Sequence, residues 1–565
     1  MRNLTTILTR LYGNDRGLSL DDRIRKHLTE LPRSMSFQKE PNWHKNLNFY
    51  IVYPDGIEGD SPIPLHNLRD HLDWVKDLGC NAVHVLPFLD SPMIDKGFDI
   101  SNFYTVRPDL GELNDLLAVQ DRARELGLQV FMDLVFNHVS DQHEWFRKAE
   151  EGDEYYRNYF FWTTEKPKFI RRIHTEYGVM AEYEIDGELK QVYIVFPETA
   201  GEIPHWRQGK DGNWYYHTFY PQQLDINWFN PDVFFEFVKI ITHWASFGFH
   251  FRLDAIPFVG KGIYKDFAND DTNTHLIVQA LYELTRLINP NCSLLVESYE
   301  HLDGITRYFG TTNQPEATMA YNFHLCTNLW LSLIRKDVSP FAAIARTTQA
   351  VPVHAEWINF LRNHDELSIA FIDEASQREI VNSLIPLGAP FRGGHAIAGR
   401  TFSLLGNDPK RHLMAYTLLA SIPGTLGIPY GDELGMENVP LNDIPEADRI
   451  DTRNINRGVL SIRKRNDQES LRICSKMQEI IKTRRFHSYY LNVRPEIVDM
   501  SDNQVFAISY SYGISELLMV INISEQEKKL KRSFTNGETM LTVNEASFSG
   551  DTIKLGPYGC IWLQR

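Results

Sequence analysis

Short apolar runs alternate with amphipathic stretches along most of the chain. Residues 47–53 form an apolar run of strand length, and residues 64–79 then carry leucine and valine at helical spacing. Residues 82–88 and 129–135 repeat the apolar run, with a second helical stretch at 114–126 between them. Strands that alternate with helices are typical of parallel βαβ units.

The alternation predicts a closed barrel. The predicted strands are 47–53, 82–88, 129–135, 249–255, 293–298, 319–323, 357–363 and 424–430, and the clearest predicted helices are 64–79, 114–126, 231–247 and 274–289. Eight parallel strands with intervening helices form a (β/α)8 TIM barrel. The predicted fold class is therefore α/β, with a β-rich insertion after strand 3 and a C-terminal all-β domain.

Two segments interrupt or end this rhythm. Between residues 137 and 225 the chain is rich in aromatic and β-prone pieces, including runs at 192–196 and 214–216, and Asp186-Gly187 predicts a hairpin turn. After about residue 488, β-prone runs alternate with polar turns. The sequence therefore predicts three domains. They are a catalytic barrel at 1–136 and 226–487 with an N-terminal extension at 1–40, an inserted domain at 137–225, and a C-terminal β-sandwich at 488–565.

Charge and cysteine content exclude several classes of protein. Lys and Arg number 58 against 74 Asp and Glu, a net charge of −16, which disfavours nucleic acid as a partner. The five cysteines are scattered and show no CxxC spacing, so we expect neither disulfides nor a zinc site. No apolar run reaches the ~18 residues of a membrane span, and the first residues do not resemble a secretion signal. We therefore expect a cytoplasmic protein that does not bind membranes.

Four acidic residues follow apolar, strand-like runs: Asp133, Asp254, Glu297 and Asp365. The carboxyl ends of barrel strands meet at one rim, where active sites of this architecture lie. A single acid after a strand is often only a helix cap. Four acids at one rim repel each other, which a fold tolerates for function, so this rim is the candidate catalytic site.

Asp254 and Glu297 end consecutive predicted strands, about 4.7–4.9 Å apart. Retaining glycoside cleavage needs a charged carboxylate and a protonated carboxyl about 5–5.5 Å apart. Arg252 lies two residues before Asp254, on the same face of the strand, and is expected to keep Asp254 ionised. Glu297 follows three apolar residues and is expected to hold its proton. Asp365 would then bind sugar hydroxyls.

Two histidines stand beside these acids. His138 and His364 are expected to be neutral donors to sugar hydroxyls near the cleaved bond. Taken singly, either could equally be an ordinary buried histidine with its hydrogen bonds satisfied.

The chain resembles the α-amylase superfamily, glycoside hydrolase family 13, because several short motifs occur in the order of that family. These are residues 133–138 (DLVFNH), 251–255 (FRLDA), 295–297 (LVE), 363–365 (NHD), 97–101 (GFDIS) and 223–227 (QLDIN). The resemblance covers about residues 40–560. It implies a covalent glucosyl-enzyme on Asp254, with Glu297 as acid/base and Asp365 as the third carboxylate.

The resemblance also implies which residues contact the substrate and a metal. The substrate-binding residues would be Asp99, Phe98, His138, Arg252, His364 and Asp133. Asn137 stands where amylases bind a structural Ca²⁺, whereas the acidic loop at 54–60 lacks the spacing of a calcium loop. No cofactor is expected to be required, and a structural Ca²⁺ is the one metal to test.

Within the family, the chain is most similar to the trehalose synthase and α-glucosidase group. Phe98 replaces a common tyrosine, and residues 451–457 occupy the place of the Pro-Met-Gln-Trp segment of many members. Three functions remain open: hydrolysis of short α-glucosides or α-glucans, transfer to a sugar as in conversion of maltose to trehalose, and a non-catalytic role as in relatives that lost their carboxylates. The triad cannot separate the first two, because both share the first half-reaction.

Overall fold

The computed structural model describes residues 2–31, 43–45, 47–175, 178–260, 262–264, 272–348, 351–369, 371–532, 534 and 537–565. Its centre is a closed barrel of eight parallel strands that follow one another in sequence order, as predicted. The strands are β1 (Asn48–Val52), β2 (Ala82–Val85), β3 (Gln129–Leu134), β4 (His250–Leu253), β5 (Leu294–Val296), β6 (Met319–Tyr321), β7 (Glu356–Phe360) and β8 (Thr425–Pro429).

Most observed strands end earlier than predicted. The run predicted as 357–363 leaves the barrel wall after Phe360, and the run predicted as 293–298 ends at Val296. The regularly paired part of each run is shorter than the apolar run itself, although the N–H of Glu297 still donates to the carbonyl of Leu253 over 3.0 Å and that of Asp254 to the carbonyl of Leu134 over 3.3 Å. That early ending places Asp254, Glu297 and Asp365 in loops at the rim.

Helices follow the barrel strands and surround the barrel. The longer ones are Arg2–Tyr12, Asn14–Glu30, Pro64–Leu78, Leu113–Glu125, Pro231–Ser246, Thr272–Ile288, Phe323–Arg335, Ser339–Thr347, Glu374–Leu384, Pro409–Ala420 and Gln468–Phe486. The shorter ones are Glu144–Glu150, Glu154–Arg157, Leu302–Arg307, Thr401–Leu404, Ile462–Asn466 and Ser488–Leu491. The helix Pro64–Leu78 ends at Gly79, whose φ of 102° favours glycine.

The N-terminal extension forms two helices that pack on the outer ring. Asn3 donates to Glu283 over 2.8 Å, and Arg23 pairs with Asp232 over 2.6 Å. The Tyr12 hydroxyl donates to the carbonyl of Trp228 over 3.0 Å. Residues 32–40 of the predicted extension lie outside the described part of the chain.

Between β3 and β4 the chain forms small antiparallel sheets. The strands are His138–Ser140, Trp162–Thr163, Phe169–Thr175, Gly178–Ile185, Glu188–Tyr193, Trp206–Gln208, Trp214–Tyr216 and Gln223–Asp225. Asp186 and Gly187 turn with φ of 54° and 81°, which confirms the predicted hairpin. The β-prone run at 192–196 is only partly a strand: the strand ends at Tyr193, the N–H of Ile194 still donates to the carbonyl of Val179 over 2.9 Å, and Val195 and Phe196 line a cleft.

A short three-stranded sheet lies between β7 and β8, which the sequence pattern did not predict. It consists of Leu367–Ser368, Ala396–Ala398 and Ala389–Phe391. Each strand has only two or three residues, too few for a period of two to be recognised. Its turn, residues 392–394, has three successive positive φ angles and borders the same cleft.

The C-terminal region folds into two antiparallel sheets. A five-stranded sheet contains Glu496–Ile497, Val505–Tyr512, Ser515–Asn522, Cys560–Gln564 and Glu538–Val543, and a three-stranded sheet contains Lys528–Lys531, Thr552–Leu555 and Ala546–Ser549. A shared apolar core lies between them, which includes Val520, Ile553 and Ile561. Across the described residues, no helix is both long and apolar enough to span a membrane.

A buried carboxyl group, Glu433, lies behind the barrel wall just after β8. Its Oε1 accepts hydrogen bonds from the Tyr50 hydroxyl over 3.0 Å and from the indole of Trp74 over 3.3 Å. Its Oε2 is buried without a hydrogen-bond partner among the described residues. Burial raises the pKa of Glu433 to about 7. The folded protein therefore keeps a proton that the unfolded chain would release.

We expect Glu433→Gln to stabilise the protein at alkaline pH. Because the folded-state pKa of Glu433 is raised, its contribution to the free energy of unfolding is fully present below pH 4.5. The wild type loses that contribution as the pH rises through about 7. The amide cannot ionise, so the variant should exceed the wild type by roughly 1–3 kcal/mol at pH 8 and match it near pH 4.5. Thermal unfolding at both pH values measures this. Glu437→Gln, at an exposed site, is the control and should change nothing. An equal gain at both pH values would contradict the assignment.

Candidate active site

A cleft of about 820 Å³, its open mouth included, lies at the carboxyl ends of the barrel strands. It is bounded by loops after β3, β4, β5 and β7, by the inserted sheets and by the turn at 392–394. Its lining residues are Asp95, Phe98, His138, Tyr193, Val195, Phe196, Phe219, Asp254, Ala255, Pro257, Phe258, Glu297, Tyr299, Phe323, Asn363, Asp365, Glu366, Ser368, Arg392 and Arg453. Mixed carboxylates and aromatic rings of this kind suit a small polar ligand with apolar faces.

Arg252 joins three of the acids that the sequence singled out. Its Nη1 donates to Asp133 over 2.7 Å and to Asp254, and its Nη2 lies 2.7 Å from Oε1 of Glu297. Leu253 of β4 pairs with Val296 of β5, so the next residue of each strand, Asp254 and Glu297, turns into the cleft at the same level. The structure thus brings these two carboxyl groups together through one buried guanidinium.

The sequence-based view of charge in this pair needs correction. Arg252 contacts Glu297 as well as Asp254, so it does not single out Asp254 for ionisation. Burial raises the pKa of Asp254 well above its ordinary value; Arg252 opposes that rise, and the neighbouring carboxylates of Glu297 and Asp133 add to it. Asp254 therefore keeps a proton to higher pH than an isolated carboxyl would.

Asp365 has the opposite environment. Its Oδ1 lies 3.3 Å from Arg453 and 3.1 Å from Arg457, and its Oδ2 lies 3.1 Å from Nε2 of His364. Burial alone would raise the pKa of Asp365, but His364, Arg453 and Arg457 outweigh burial and hold that pKa well below its ordinary value. The third carboxylate is therefore charged across the physiological range, at the wall of the cleft.

Asp133 lies behind the cleft and not on its surface. It is 1% exposed at the side chain, bound by Nε2 of His84 over 2.9 Å and by Arg252. Burial would raise its pKa, but His84 and Arg252 together lower it. The expectation that Asp133 and Arg252 contact substrate is thus not supported by their positions: neither lines the cleft, and both act through Asp254 and Glu297.

Phe98 and the two predicted histidines pack against one another. The rings of Phe98 and His364 stack with centroids 5.3 Å apart. His138 lines the cleft, but its Nε2 lies 2.9 Å from the carbonyl of Phe98, so its N–H is already donated there. Burial lowers the pKa of His138 to about 4, so the ring is neutral as expected, but it has no spare N–H for a sugar. His364 lies behind Phe98 and Asp365.

The carboxylate of Asp99 does not reach the cleft. It is fully buried and accepts hydrogen bonds from the Ser91 hydroxyl over 2.8 Å and from the N–H groups of Ile94 and Asp95. These bonds fold the loop between β2 and the helix Leu113–Glu125. Asp95, four residues earlier, is the aspartate of this loop that lines the cleft, where Arg453 pairs with it over 2.9 Å. The loop turns back on itself, which sequence spacing could not reveal.

Asn137 follows β3 and is 2% exposed. Its amide nitrogen lies 3.4 Å from Nδ1 of His138, and its side chain also contacts Asp225. Asp225 accepts hydrogen bonds from the N–H and hydroxyl of Thr218. Ca²⁺ takes six to eight oxygen ligands, several of them carboxylates, and no group of three His, Cys, Asp or Glu side chains suited to a metal occurs within the described ranges. This donor set adds no support, and calcium at Asn137 stays a prediction.

Sequence reasoning missed four charged residues of the cleft: Asp95, Glu366, Arg392 and Arg453. Arg453 is 3% exposed and pairs with Asp451, Asp95 and Asp365. For Arg453 the sequence did carry a signal. The segment at 451–457 replaces the Pro-Met-Gln-Trp segment of many family members and contains two arginines, Arg453 and Arg457, four residues apart. The others carry no local signal, because their partners are distant in the chain.

Comparison with known proteins identifies the family. A model of the α-amylase catalytic domain matches residues 55–386, more than half of the chain. The trehalose synthase/amylase of Mycobacterium tuberculosis is 29% identical over 414 residues, which cover 71% of this chain and 64% of that protein. The salivary α-glucosidase of Anopheles gambiae is 29% identical over 381 residues, 61% of each chain. The chain thus spans less than two thirds of the length of these relatives.

The fold comparison extends over nearly the whole chain. The crystal structure of a trehalulose synthase from Pseudomonas mesoacidophila superposes with a TM-score of 0.71 and 20% identity, covering 93% of this chain and all of that one. At this identity the likeness establishes the architecture, namely a barrel with an insertion after β3 and a C-terminal β region. With the matching family model and the barrel-rim cleft, it follows that the chain belongs to the α-amylase family.

Proposed function

We propose that the protein is a retaining enzyme that cleaves α-glucosidic bonds of short α-glucosides or α-glucans through a covalent β-glucosyl-enzyme on Asp254. One observation carries the proposal: Asp254 and Glu297 end adjacent barrel strands, line one cleft and bind the same guanidinium of Arg252. Two carboxyl groups that face one cavity, one to attack the sugar and one to act as acid and base, are what retaining cleavage requires.

Each residue has a defined part in the proposed reaction. Glu297 gives a proton to the glycosidic oxygen while the Asp254 carboxylate attacks the anomeric carbon. Glu297 then takes a proton from the incoming hydroxyl, which displaces Asp254. The side chain of Glu297 is 18% exposed against 10% for Asp254, so Glu297 exchanges protons with solvent more readily. Asp365, held charged by its arginines, binds hydroxyls of the same glucose.

The raised pKa of Asp254 keeps a proton in the site. An acid catalyst must keep its proton at the working pH, and an isolated carboxyl would lose it. Burial raises the pKa of Asp254 well above its ordinary value, so the site retains a proton where isolated carboxyl groups would have lost theirs. The positive charge that develops on the sugar ring then meets the negative charge of Asp365, which its arginines hold ionised.

Transfer of glucose to a sugar is the second candidate, as in a trehalose synthase-like conversion of maltose to trehalose. It is favoured by the relative named trehalose synthase/amylase and by further charged groups, among them Glu366 and Arg392, that line the same cleft as Asp254. A non-catalytic role is disfavoured, because all three carboxylates and Arg252 line or support one cleft. We also propose a cytoplasmic location, supported by five buried cysteines that form no disulfide. We propose that catalysis requires no cofactor, and a structural Ca²⁺ is the one metal to test.

The test is the stereochemistry and identity of the first products. The protein is incubated separately with maltose, sucrose, trehalose and maltooligosaccharides, and early products are followed by NMR. We expect α-configured products, either free α-glucose or a new α-linked disaccharide. Early β-configured products would rule out the double displacement, and no product from any of these sugars would rule out the proposed function.

A further inference from the structure

A second charged pair, Glu366 and Arg392, lies in the cleft next to the residues that hold Asp365, and Oε2 of Glu366 is 4.0 Å from Nη1 of Arg453. Oε1 of Glu366 lies 2.6 Å from Nε of Arg392. The Glu366 side chain is 1% exposed, whereas 17% of Arg392 remains exposed toward the cleft. Arg453, by contrast, is 3% exposed and surrounded by carboxylates. Arg392 is therefore the guanidinium of the cleft wall with room to meet a ligand.

The position of this pair relative to the chemistry follows from the barrel. Glu297 ends β5, and Tyr299 is two residues further along the same loop. The Arg392 guanidinium lies 5.2 Å from the centre of the Tyr299 ring and 5.8 Å from that of Phe196. Arg392 thus stands on the side of the cleft occupied by the loop of the proposed acid/base. The sugar that exchanges a proton with Glu297 is the second sugar, not the glucose held on Asp254. As a leaving group it takes the proton of Glu297, and as an acceptor it gives its own proton to Glu297.

The backbone fixes the aim of Arg392. Its φ is 53°, and Gly393 and Gly394 follow with φ of 64° and 88°. A non-glycine residue in this left-handed region is strained and persists where the surroundings enforce it. Here the N–H of Gly393 donates to Glu198 of the inserted domain over 2.6 Å. A Cβ at Gly393 would come within 3.1 Å of Val179. The turn at 392–394 packs tightly against the inserted domain, and this contact holds the Arg392 side chain at the wall of the cleft.

The chemistry of the pair suits hydroxyl groups. A guanidinium carries five N–H donors, so pairing with Glu366 and with the Tyr193 hydroxyl leaves donors for a ligand. Glu366 offers carboxylate oxygens as acceptors beside them. A donor next to an acceptor matches the neighbouring hydroxyls of a sugar, and the Tyr299 ring supplies a flat apolar surface beside the pair.

The charge of the cleft defines what the second ligand can be. Among the described residues, its lining has five carboxyl groups, Asp95, Asp254, Glu297, Asp365 and Glu366, against two guanidinium groups, Arg392 and Arg453. Directly behind the wall, Asp133 and Asp451 balance Arg252 and Arg457. The formal charge is therefore about −3 with all of these groups ionised and about −2 while Asp254 holds its proton, and Arg392 is already paired. A phosphorylated sugar would be repelled.

We infer that Arg392, held by Glu366, is a specificity-determining residue that binds an uncharged second sugar beside Glu297 and so decides whether glucose passes to that sugar or to water. This inference rests on the proposed function. In the step concerned, a hydroxyl of the bound sugar attacks the anomeric carbon, its proton goes to Glu297, and the Asp254 carboxylate leaves. Water does the same when the second sugar is not held in place.

The test separates total cleavage from transfer. The donor is p-nitrophenyl α-glucoside, with glucose added as acceptor; nitrophenol measures every cleavage, and disaccharide measures transfer. We expect Arg392→Ala to lower the disaccharide-to-nitrophenol ratio at least fivefold and to raise the glucose concentration needed for half-maximal transfer, with Arg392→Lys in between. Because the readout is a ratio, a variant with lower total activity still reports. Arg378→Ala, an exposed arginine paired with Glu374 on the helix Glu374–Leu384, is the matched control and should keep the wild-type ratio.

Charge selection is tested with glucose 6-phosphate as the acceptor. The wild type should use it at least tenfold less well than glucose, and Glu366→Gln, which removes one negative charge and releases Arg392, should narrow that difference. The inference would be overturned by an unchanged disaccharide-to-nitrophenol ratio in Arg392→Ala, or by a wild type that forms no disaccharide. In either case, continued release of nitrophenol would show that the protein still cleaves the glucoside, so the proposed function would stand. Equal use of the two acceptors by the wild type would overturn the uncharged-ligand part. A wild type that releases no nitrophenol would overturn the proposed function as well.

Discussion

Asp254→Asn is expected to lower kcat by about 10⁴-fold or more while leaving the fold in place. An amide oxygen is a poor nucleophile, and no other carboxylate has the position of Asp254 at the end of β4. The asparagine keeps the shape of the side chain and can still face Arg252. Burial already raises the pKa of Asp254, so a neutral group is tolerated at this site, and the melting temperature should not fall.

The measurement is steady-state kinetics with the substrate that the product analysis identifies, with circular dichroism as the check of folding. Asp232→Asn, at a surface residue paired with Arg23, is the control and should keep full activity. Covalent labelling gives an independent readout: a fluorinated glucosyl donor that accumulates the intermediate should modify the peptide containing Asp254. Residual activity above about one per cent, or a label on another peptide, would place the nucleophile elsewhere.

Arg252→Met is expected to destabilise the protein by about 3–5 kcal/mol at neutral pH and to lower activity by at least 10³-fold. The arginine side chain is fully buried and contacts Asp133, Asp254 and Glu297. Methionine fills much of the volume but leaves three carboxyl groups together, with His84 as the remaining partner of Asp133. Removal of one member of a buried ion cluster costs far more than the net worth of the cluster.

The pH dependence distinguishes this effect from simple loss of packing. The carboxyl groups of the variant have higher folded-state pKa values than in the wild type, so the deficit in unfolding free energy should shrink as the pH falls and the carboxyls take up protons. Thermal unfolding at pH 7 and pH 5 measures the difference. Arg484→Met is the matched control, because that buried arginine binds the carbonyls of Ala420, Ile422 and Gly424. Arg484→Met should lower the free energy of unfolding by the same amount at pH 7 and at pH 5. If Arg252→Met also lowered it equally at the two pH values, the electrostatic explanation would be contradicted.

The two predictions describe one arrangement from different sides. Asp254, Glu297 and Asp133 share one guanidinium, and Asp365 has two more. The fold therefore carries a cluster of charge that a purely structural protein would replace with apolar side chains. Activity should depend on the members that line the cleft and on Arg252, which holds two of them, whereas stability should depend mainly on the members behind the cleft.

The barrel could be predicted from the sequence because its signal is local. Each strand is a short apolar run, each helix a longer amphipathic one, and the eight runs occur in the order in which they pair. The acids at the rim were also accessible, because a carboxylate directly after a buried strand is visible in the chain itself. The ends of the strands were less accurate, because the pattern records burial and not hydrogen bonding.

Tertiary structure alone decided the partners of these residues. Asp99 and Asp95 lie in one short loop, yet Asp99 ties the loop together and Asp95 reaches Arg453, 358 residues away. Arg252 was expected to serve Asp254, but the pairing of β4 with β5 gives it Glu297 as well. Arg392 was not predicted at all, because its role depends on a strained turn wedged against the inserted domain.

The sequence by itself determined the type and order of the barrel strands, the clearest helices around them and the family, since these depend on residue periodicity and short motifs. Which carboxyl groups face the cleft, which guanidinium neutralises them and where protons are held depend on distances between residues far apart in the chain. Coulomb energies and desolvation change steeply over a few ångströms, so those properties exist only once the chain has folded.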